Sequence, residues 1–520
     1  MPDAVEPRQS RVLNAVERLG NALPDPVFIF LGMIVLLVAV SVTGEIWGWS
    51  AVNPVSGEVL QVQSLLSEDN VRRLITEMPR TYVGFTPLAF ALLIMLGAGV
   101  AEGGGLLACL LRAGLSGVNK AVLTPVVFII GMLTTHAFDA GYLVYVPLAG
   151  LAFATAGRNP LLGLVVGFAG AAVGLSGNLF PGQYDVLILG ITQTAARLLQ
   201  PDWTLNPLGN WWFSLALAAV FTATVWVIAD RVAAPRLGPW TGDRGEAFFA
   251  AARLSGAERS GLAAAGVWAA ALAVGFAALA LNPLYSPLTD ENATGMARLA
   301  PLYAAIVPGF FLLFLVTGWA YGARVGSIKS HRDVVAMMAK GIEGLVPYLV
   351  LIFFGAHFVA LFGWSNLGPI IAIQAAAQLR AMNAPPELLL PMLATMSASL
   401  DFLIMSGSAK WTAMAPVATP MMMLLGISPE MTTAVYRLGD TITNLISPLN
   451  PYLILTLTFC RRWLPDFRLG SLIALTLPFA VAFYLGGMAL TIAWVSFELP
   501  VGPGASVYYE QTNLLPPPLP

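Results

Sequence analysis

The sequence predicts an all-α polytopic membrane protein of about nine transmembrane helices and two opposed re-entrant helical hairpins in an inverted repeat. Three observations carry this. The 520 residues are 57% hydrophobic and only 10% charged, with a mean hydropathy of +0.76, whereas a soluble domain is about 25% charged. So few charges cannot clothe a soluble surface of this size, and disorder, which needs low hydrophobicity and high charge, is excluded with it. The second observation is an uneven spread of basic residues between successive loops. The third is a set of Pro and Gly positions that recurs at one fixed lag.

Residues 1–26 mix Asp3, Glu6, Arg8, Arg11, Glu17 and Arg18 with no short apolar core before a cleavage site, so they read as a retained cytoplasmic tail. Nine apolar stretches of span length follow, near 27–46, 84–101, 160–180, 208–229, 261–282, 300–321, 341–363, 430–456 and 469–495. Two more, near 121–157 and 387–426, are interrupted by polar residues. As hairpins they leave nine spans and as paired spans they make eleven; both counts are odd, so the termini lie on opposite sides. With the N-terminus inside, 18 of the 26 Lys and Arg fall on inner segments and 6 on outer ones, which sets a cytoplasmic N-terminus and a periplasmic C-terminus. The chain then divides into a first half (27–230), a cytoplasmic loop (231–260), a second half (261–495) and a periplasmic tail (496–520). That tail ends in Leu515-Pro516-Pro517-Pro518, which cannot form a helix.

The repeat is read from Pro147, Gly157 and Pro160, which recur 269 residues later as Pro416, Gly426 and Pro429. The same lag sets Asp139 over Ser408 and Tyr142 over Trp411. After a three-residue slip, Asn178-Leu179 matches Asn444-Leu445, each soon followed by a proline, Pro181 and Pro448. The flanking charges make the first hairpin enter from the cytoplasm and the second from outside. Each is followed by a helix with a break, near 178–181 and 444–448. Inverted repeats with discontinuous helices are a transporter architecture, and the freed backbone groups at the breaks can bind ions or anions.

Polar residues at membrane depth mark the candidate site, because each charge there costs at least about 2.5–3.5 kcal/mol. One group is Asp401 with Ser406-Gly407-Ser408-Ala409-Lys410-Trp411, where the glycine between two serines allows a hairpin tip. The plainer reading makes Lys410 and Trp411 interfacial anchors. The next group is Tyr436-Arg437-Leu438-Gly439-Asp440, continuing to Asn444 and Pro448. Arg437 and Asp440, three apart, can share a face and pair. They form either a packing ion pair or a function: Asp440, Asn444 and carbonyls freed by Pro448 hold a cation, while Arg437 receives a substrate carboxylate bidentately. In the first half, His136 and Asp139 fall at the hairpin tip, and Ser176, Asn178 and Asp185 surround the break. His136 alone reads more simply as a hydrogen-bonded core histidine, and Asp185 as a helix cap. Glu102, Glu343 and His357 read as structural.

Other classes are weighed on the same residues. Net charge of −2 argues against a nucleic-acid partner. Cys109 and Cys460 are too few and too far apart for a disulfide framework or a metal cluster. No G-x-x-x-x-G-K-[ST] loop occurs, so ATP is not the driver. Tyr184-Asp185 and Leu438-Gly439-Asp440 resemble pieces of intramembrane aspartyl proteases. Arg437, however, replaces a glycine there and would hold Asp440 ionised, and the Pro-Ala-Leu element is missing around Pro448.

These motifs resemble the p-aminobenzoyl-glutamate transporter (AbgT) family, in the ion transporter superfamily. The likeness runs from Leu23-Pro24-Asp25-Pro26-Val27 through Ser176-Gly177-Asn178-Leu179-Phe180, Gly190-Ile191-Thr192-Gln193, Gly407–Trp411, Ala415-Pro416-Val417, Tyr436–Asp440 and Thr443-Asn444 to Leu499–Gly504. The resemblance implies a homodimer in a bacterial inner membrane with nine spans and two opposed hairpins. It implies no enzymatic activity and no cofactor, and secondary transport of p-aminobenzoyl-glutamate, with sulfonamide antimetabolite export in some members. Its functional positions fall on Asp185, Ser408, Trp411, Pro429, Arg437, Asp440 and Pro448. On this reading Arg437 binds the carboxylate, Trp411 stacks on the aromatic ring, and Ser408 with the hairpin tips encloses it. Asp440, Asn444, Asn178, Asp401, Asp139 and His136 serve ion coupling, with sodium at Asn178, Asp440 and Asn444 or a proton as the coupling cation. Asp401 stands where such proteins usually have Asn, and Thr134–Tyr142 departs from their first-hairpin motif; the added titratable groups Asp401 and His136 put proton coupling beside sodium coupling. A dicarboxylate transporter of the same architecture is the alternative, and an intramembrane protease a remote one.

Overall fold

The computed structural model describes residues 26–509 apart from 55–56, 116–117, 138–140, 205, 243–253, 283–284, 293–297 and 344. Helix α1 (Pro26–Ile46) leads into a small antiparallel pair, β1 (Ser50–Val52) and β2 (Val59–Gln61), and then α2 (Glu68–Thr76) and α3 (Met78–Val83). Next come α4 (Thr86–Gly103) and α5 (Leu106–Leu115). The first hairpin is α6 (Leu123–Leu133) and α7 (Val146–Thr155), the first broken span is α8 (Pro160–Val173) and α9 (Gln183–Ala196), and α10 (Trp211–Ile228) closes the half. The second half runs through α11 (Gly256–Leu281), α12 (Ile306–Val325), α13 (His331–Glu343), α14 (Val346–Trp364) and α15 (Leu367–Ala381). Its hairpin is α16 (Pro386–Leu400) and α17 (Gly407–Leu424), its broken span α18 (Pro429–Ile442) and α19 (Pro451–Trp463), and its last helix α20 (Leu469–Ser496).

Seven helices among the described residues are long and apolar enough to cross a membrane unaided: α1, α4, α10 with its continuation to Leu237, α11, α12, α14 and α20. The two broken spans supply the eighth and ninth, so the expected all-α plan of nine spans and two hairpins holds. Side chains such as Val35 and Leu36 on α1, Val267 and Val274 on α11, and Val481 and Leu485 on α20 face outward, as lipid-facing helices require.

The recurrent Gly and Pro positions are a turn code. Gly157 and Gly426 both adopt positive φ, 76° and 84°, which glycine tolerates without a Cβ clash. Two residues on, Asn159 and Ser428 cap the broken helices by accepting from Leu161 N and Met431 N, and Pro160 and Pro429 take the first helical position. Packing repeats the symmetry. Helix α6 lies on α8 and α10 as α16 lies on α18 and α20, while α9 packs against α17 and α19 against α8.

Helix α10 shows that the hairpins enter from opposite ends. Near its start, Phe213 N donates to Val501 O (3.1 Å), in the segment whose Val507 O accepts from Ser428 N (2.9 Å) at the base of the second hairpin. Near its other end, Asp230 pairs with Arg158 and accepts from Thr124 Oγ1 (3.1 Å), at the base of the first hairpin. Every residue of α8 and α18 is buried, which keeps the backbone groups at both breaks away from lipid, where they would go unsatisfied.

Three boundaries differ from expectation. Residues 499–509 do not trail away: Ile427 and Tyr508 form a β-bridge and Tyr509 N donates to Gly426 O (2.8 Å), strapping the segment over the second hairpin's base. The Pro-rich end lies outside the described residues. The 231–260 loop is shorter than expected, because α10 bulges on to Leu237 and α11 starts at Gly256. The loop after α1 carries structure of its own, with α2 capped by Ser67 accepting from Asn70 N.

Candidate functional site

The second hairpin turns through Ser406 and Gly407, with Ser406 Oγ accepting from Ala409 N (3.3 Å) to start α17. This brings Lys410 and Trp411, in the first turn of α17, deep among α16, α18 and α9. A Cβ on Gly407 would press into the Tyr184 hydroxyl and lie 2.6 Å from Asp440 Oδ2, so the close approach of tip and network depends on that glycine.

Lys410 is the centre of the charged network. Its ammonium lies 2.8 Å from Asp401 Oδ1 and 2.8 Å from Asp440 Oδ1, and donates to Ser397 O at 3.2 Å. Three oxygens thus take its three protons. Asp401 Oδ2 accepts from Thr443 Oγ1 (2.9 Å), and Asp440 Oδ2 from the Tyr184 hydroxyl (3.1 Å). The Tyr436 hydroxyl donates to Gly407 O (2.5 Å) and lies 3.3 Å from Asp440 Oδ1. Asp401, Lys410, Arg437 and Asp440 are all buried, and a buried charge is tolerated only when paired in this way.

Arg437 belongs to a second cluster. Its Nη1 is 2.7 Å from Asp185 Oδ1. Its Nε donates to Leu175 O (2.8 Å), and Nη2 to the same carbonyl. Leu175 lies just past the end of α8, so a carbonyl freed at the first break is satisfied by an arginine of the second half. Asp185 also accepts from Gly182 N through Oδ2 (2.7 Å), capping α9. The expected Arg437–Asp440 pair is therefore replaced by two crossed pairs, Arg437 with Asp185 and Lys410 with Asp440. One turn of helix separates the two side chains, and each finds its partner on another element.

The first-half residues do other work. Asn178 Nδ2 donates to Met132 O (3.0 Å), Thr135 Oγ1 (2.8 Å) and Gly174 O (3.0 Å), while its Oδ1 accepts from Leu179 N (2.8 Å). It stitches the break to the hairpin tip. The His136 ring sets Nδ1 3.1 Å from Leu133 O and Nε2 3.4 Å from Pro181 O, and a neutral ring donates to one of the two. Asp139 lies outside the described residues. Two of the three residues expected at a sodium ion have partners within the protein: Asn178 Oδ1 accepts from Leu179 N, and the Asp440 carboxylate meets Lys410 and Tyr184. Among the described residues no three His, Cys, Asp or Glu side chains are grouped so that they could hold a metal ion.

Trp411 is fully enclosed. Its Nε1 donates to Thr192 Oγ1 (2.8 Å), and its ring stacks on Tyr436 with centroids 4.2 Å apart, so in this conformation it buttresses the network instead of offering a face to a ligand. Pro429 sits at the start of α18, two turns from Arg437, and its carbonyl accepts from Thr433 Oγ1 (2.7 Å), which meets Thr192 Oγ1 at 2.6 Å. Ser408 is half-buried at the tip beside Ser406 (3.4 Å). Asn444 and Pro448 lie in the 3₁₀ break after α18, where Asn450 Nδ2 donates to Asn444 O (2.8 Å).

Two cavities flank these groups. One of about 280 Å³ lies between α4, the tip of the first hairpin and the start of α9, where Tyr184 forms part of its wall. A larger one, about 530 Å³, holds Arg73, Arg80 and Arg197 at the opposite end of α9. Its arginines are exposed, so it is an open vestibule; the smaller cavity touches the buried network through Tyr184, and a third, of about 380 Å³ between α16 and α20, reaches it through Thr443.

The sequence matches the model of the "AbgT putative transporter family" over residues 11–509. It is 33% identical to the p-aminobenzoyl-glutamate transport protein of Escherichia coli (strain K12) over 490 residues, which cover 94% of this chain and 95% of that one. The chain belongs to the AbgT family. Among solved AbgT-like structures, the YdaH transporter of Alcanivorax borkumensis superposes with a TM-score of 0.86 at 35% identity, covering 92% of this chain and 100% of that one. MtrF of Neisseria gonorrhoeae, described as illuminating a class of antimetabolite efflux pumps, gives a TM-score of 0.89 at 36% identity, with coverage of 95% and 100%. This AbgT chain is thus a multi-pass membrane protein of a transporter family. Within it, sequence reasoning passed over Tyr184, Tyr436, Thr192 and Thr443 and left Lys410 between anchor and function. Tyr436 and Lys410 stood inside the quoted motifs, and Tyr184 beside Asp185, but nothing in the spacing joins α9 to the second hairpin.

Proposed function

We propose that this chain is an ion-coupled secondary transporter of p-aminobenzoyl-glutamate or a related aromatic, amino-acid-derived carboxylate. We take it to work as a homodimer in a bacterial inner membrane with a cytoplasmic N-terminus. Charge balance carries the reading. Three buried carboxylates, Asp185, Asp401 and Asp440, face two cations, Lys410 and Arg437, which leaves one negative charge in excess when all are ionised. At membrane depth that excess costs at least about 2.5–3.5 kcal/mol, and one proton or one bound cation removes it. Ion occupancy is thereby tied to the state of the hairpin tip that Lys410 anchors. A proton is favoured over sodium because Lys410 already fills the cation position between Asp401 and Asp440.

Substrate binding follows from the other cluster. A carboxylate arriving at Arg437 competes with Asp185, and protonation of Asp185 would release the arginine to it. Because Asp185 caps α9, this exchange loosens the start of a helix packed against the second hairpin, the kind of rearrangement that alternating access needs. The same chemistry serves sulfonamide antimetabolites, in line with the efflux role named for the MtrF relative. A protease reading finds no support, since Asp185 and Asp440 each have their own cation and share no proton.

The test is uptake of labelled p-aminobenzoyl-glutamate into proteoliposomes under separate sodium and pH gradients. Saturable uptake driven by the pH gradient alone is expected. Uptake that needs sodium removes the proton reading, and uptake of succinate or citrate in its place points to the dicarboxylate alternative. Arg437→Ala should abolish carboxylate transport, and because it strands Asp185 the control is Arg437→Ala with Asp185→Asn, which should regain stability but not transport.

A further inference from the structure

We infer that the 530 Å³ vestibule at the far end of α9 is a second anion site, separate from the Arg437 cluster, for an organic molecule carrying two carboxylates. Arg80 and Arg197 are its two hydrogen-bonding forks. The inference rests on the transport reading above and names where the substrate is held before or after the buried site.

The charged side chains in the lining are Arg73, Arg80, Arg197 and Glu77, three cations against one anion. On the orientation proposed above this is the outer face, where the sequence places only six Lys and Arg in all. Half of them gather at one cavity, on the side that basic residues usually avoid.

The three arginines are not equivalent. Arg73 is occupied: its Nε donates to Glu77 Oε2 (3.3 Å), and its guanidinium lies 4.5 Å from the centre of the Trp364 ring. Arg197 Nε donates to Trp203 O (2.9 Å), while its two terminal nitrogens have no partner among the described residues. The Arg80 side chain has no hydrogen bond or ion pair there at all. Two guanidinium edges are therefore open, one on α3 and one just past α9, and each matches a carboxylate bidentately. The rest of the lining is mostly apolar, with Phe85, Val359 and Trp364 beside the Thr86 and Thr194 side chains. A cavity of this size and character suits an organic ligand better than an inorganic anion.

Helix α9 carries both sites. Asp185 stands in its first turn and Arg197 closes its end, about 18 Å further along the axis. Two carboxylates on one amino acid lie far closer together than that, so a ligand occupies one site or the other. Exposed cations at the mouth of a cleft also draw anions in, an effect that salt weakens.

The test titrates the full-length protein, in nanodiscs of zwitterionic lipid at low salt, with p-aminobenzoyl-glutamate by calorimetry. Arg437→Ala with Asp185→Asn removes the buried site without stranding a carboxylate, and a weak binding component should remain. Adding Arg80→Gln and Arg197→Gln should weaken that component at least about tenfold, as should high salt. The amide p-aminobenzoyl-glutamine, with one carboxylate masked, should bind it about tenfold more weakly than the dicarboxylate. No binding once Arg437 and Asp185 are replaced, or weak binding that survives both glutamine substitutions, overturns the site and leaves the transport reading standing. Loss of the weak component when phosphatidylglycerol is added to the nanodiscs makes the occupant a lipid phosphate and overturns the dicarboxylate assignment. A wild type that binds citrate through Arg80 and Arg197, but p-aminobenzoyl-glutamate nowhere, supports the site and overturns the substrate of the transport reading. Should the Arg437 and Asp185 pair of substitutions not fold, uptake by otherwise wild-type protein decides. Arg80→Gln with Arg197→Gln should then raise KM about fivefold at low salt and less at high salt, and an unchanged KM overturns the site.

Discussion

At the tip of the second hairpin, Lys410, Asp401 and Asp440 form a dry ionic knot sealed by Trp411 and Tyr436. At the tip of the first, the contacts are neutral: Asn178 and His136 hold backbone carbonyls, and a cavity opens beside Tyr142. Both hairpins end, at their bases, on the same turn: a left-handed glycine, a polar cap and a proline. The architecture is therefore duplicated while the chemistry is divided: one half stores the charge and the other half borders the space a ligand can enter. The halves are tied where Arg437 takes a carbonyl of the first break and Tyr184 reaches Asp440. A change at either tip can reach the other through these two contacts.

The largest effect should come from removing the cation. Lys410→Met strands Asp401 and Asp440 as unpaired buried carboxylates and should cost about 3–5 kcal/mol, read as a lower unfolding temperature in detergent. Adding Asp401→Asn should recover part of that loss; if it recovers none, the two are not coupled through Lys410. Asp401→Asn alone removes the excess charge, so uptake should lose its response to an imposed pH gradient, and an unchanged pH profile would take Asp401 out of the coupling scheme.

Next in size is Gly407→Ala. Its methyl group meets Tyr184 and Asp440, which should cost about 1–3 kcal/mol by overpacking and halt transport, while alanine at Gly157, where nothing lies within 4 Å, meets only backbone strain. A similar loss of transport from both would mean that any strained hairpin turn, at tip or base, halts transport, and that the close approach at Gly407 is not special.

The braces at the two breaks give a smaller contrast. Asn178→Ala removes the amide that ties the break to the hairpin tip and leaves Leu179 N without its Oδ1 acceptor, which should cost about 1–3 kcal/mol. Asn450→Ala loses its bonds with Asn444 O and Tyr452 N and should cost less, seen as earlier hydrogen exchange at the first break than at the second. Smallest is Trp411→Phe, which keeps the stack on Tyr436 but drops the bond to Thr192, at about 1 kcal/mol. A much larger loss of ligand binding would return Trp411 to the role of ring acceptor.

Much of the fold was legible because membranes impose simple rules. Span length, charge sparsity and the basic-residue bias are summed over many residues, so they survive without tertiary knowledge. The repeat was legible because Gly157 and Gly426 answer a backbone demand that few other residues meet. The amphipathic pieces α2, α13 and α15 escaped, since they neither span nor repeat visibly. Residues 499–509 escaped too, because their hold on Gly426 and Ser428 is made by backbone atoms that leave no compositional trace.

For the site, the sequence alone marked Asp401, Arg437 and Asp440 as groups at membrane depth that must find partners, and left Lys410 and Asp185 between that and an anchor or a cap. Only the tertiary structure decided who pairs with whom. Local spacing favoured Arg437 with Asp440, yet Asp185 and Leu175 come from 250 or more residues away to claim the arginine, and Lys410 crosses from the facing hairpin to claim the aspartate. Helical spacing reports only neighbours along one helix, whereas pairing energy depends on distance through space, and in this chain the inverted repeat folds the two breaks onto one another.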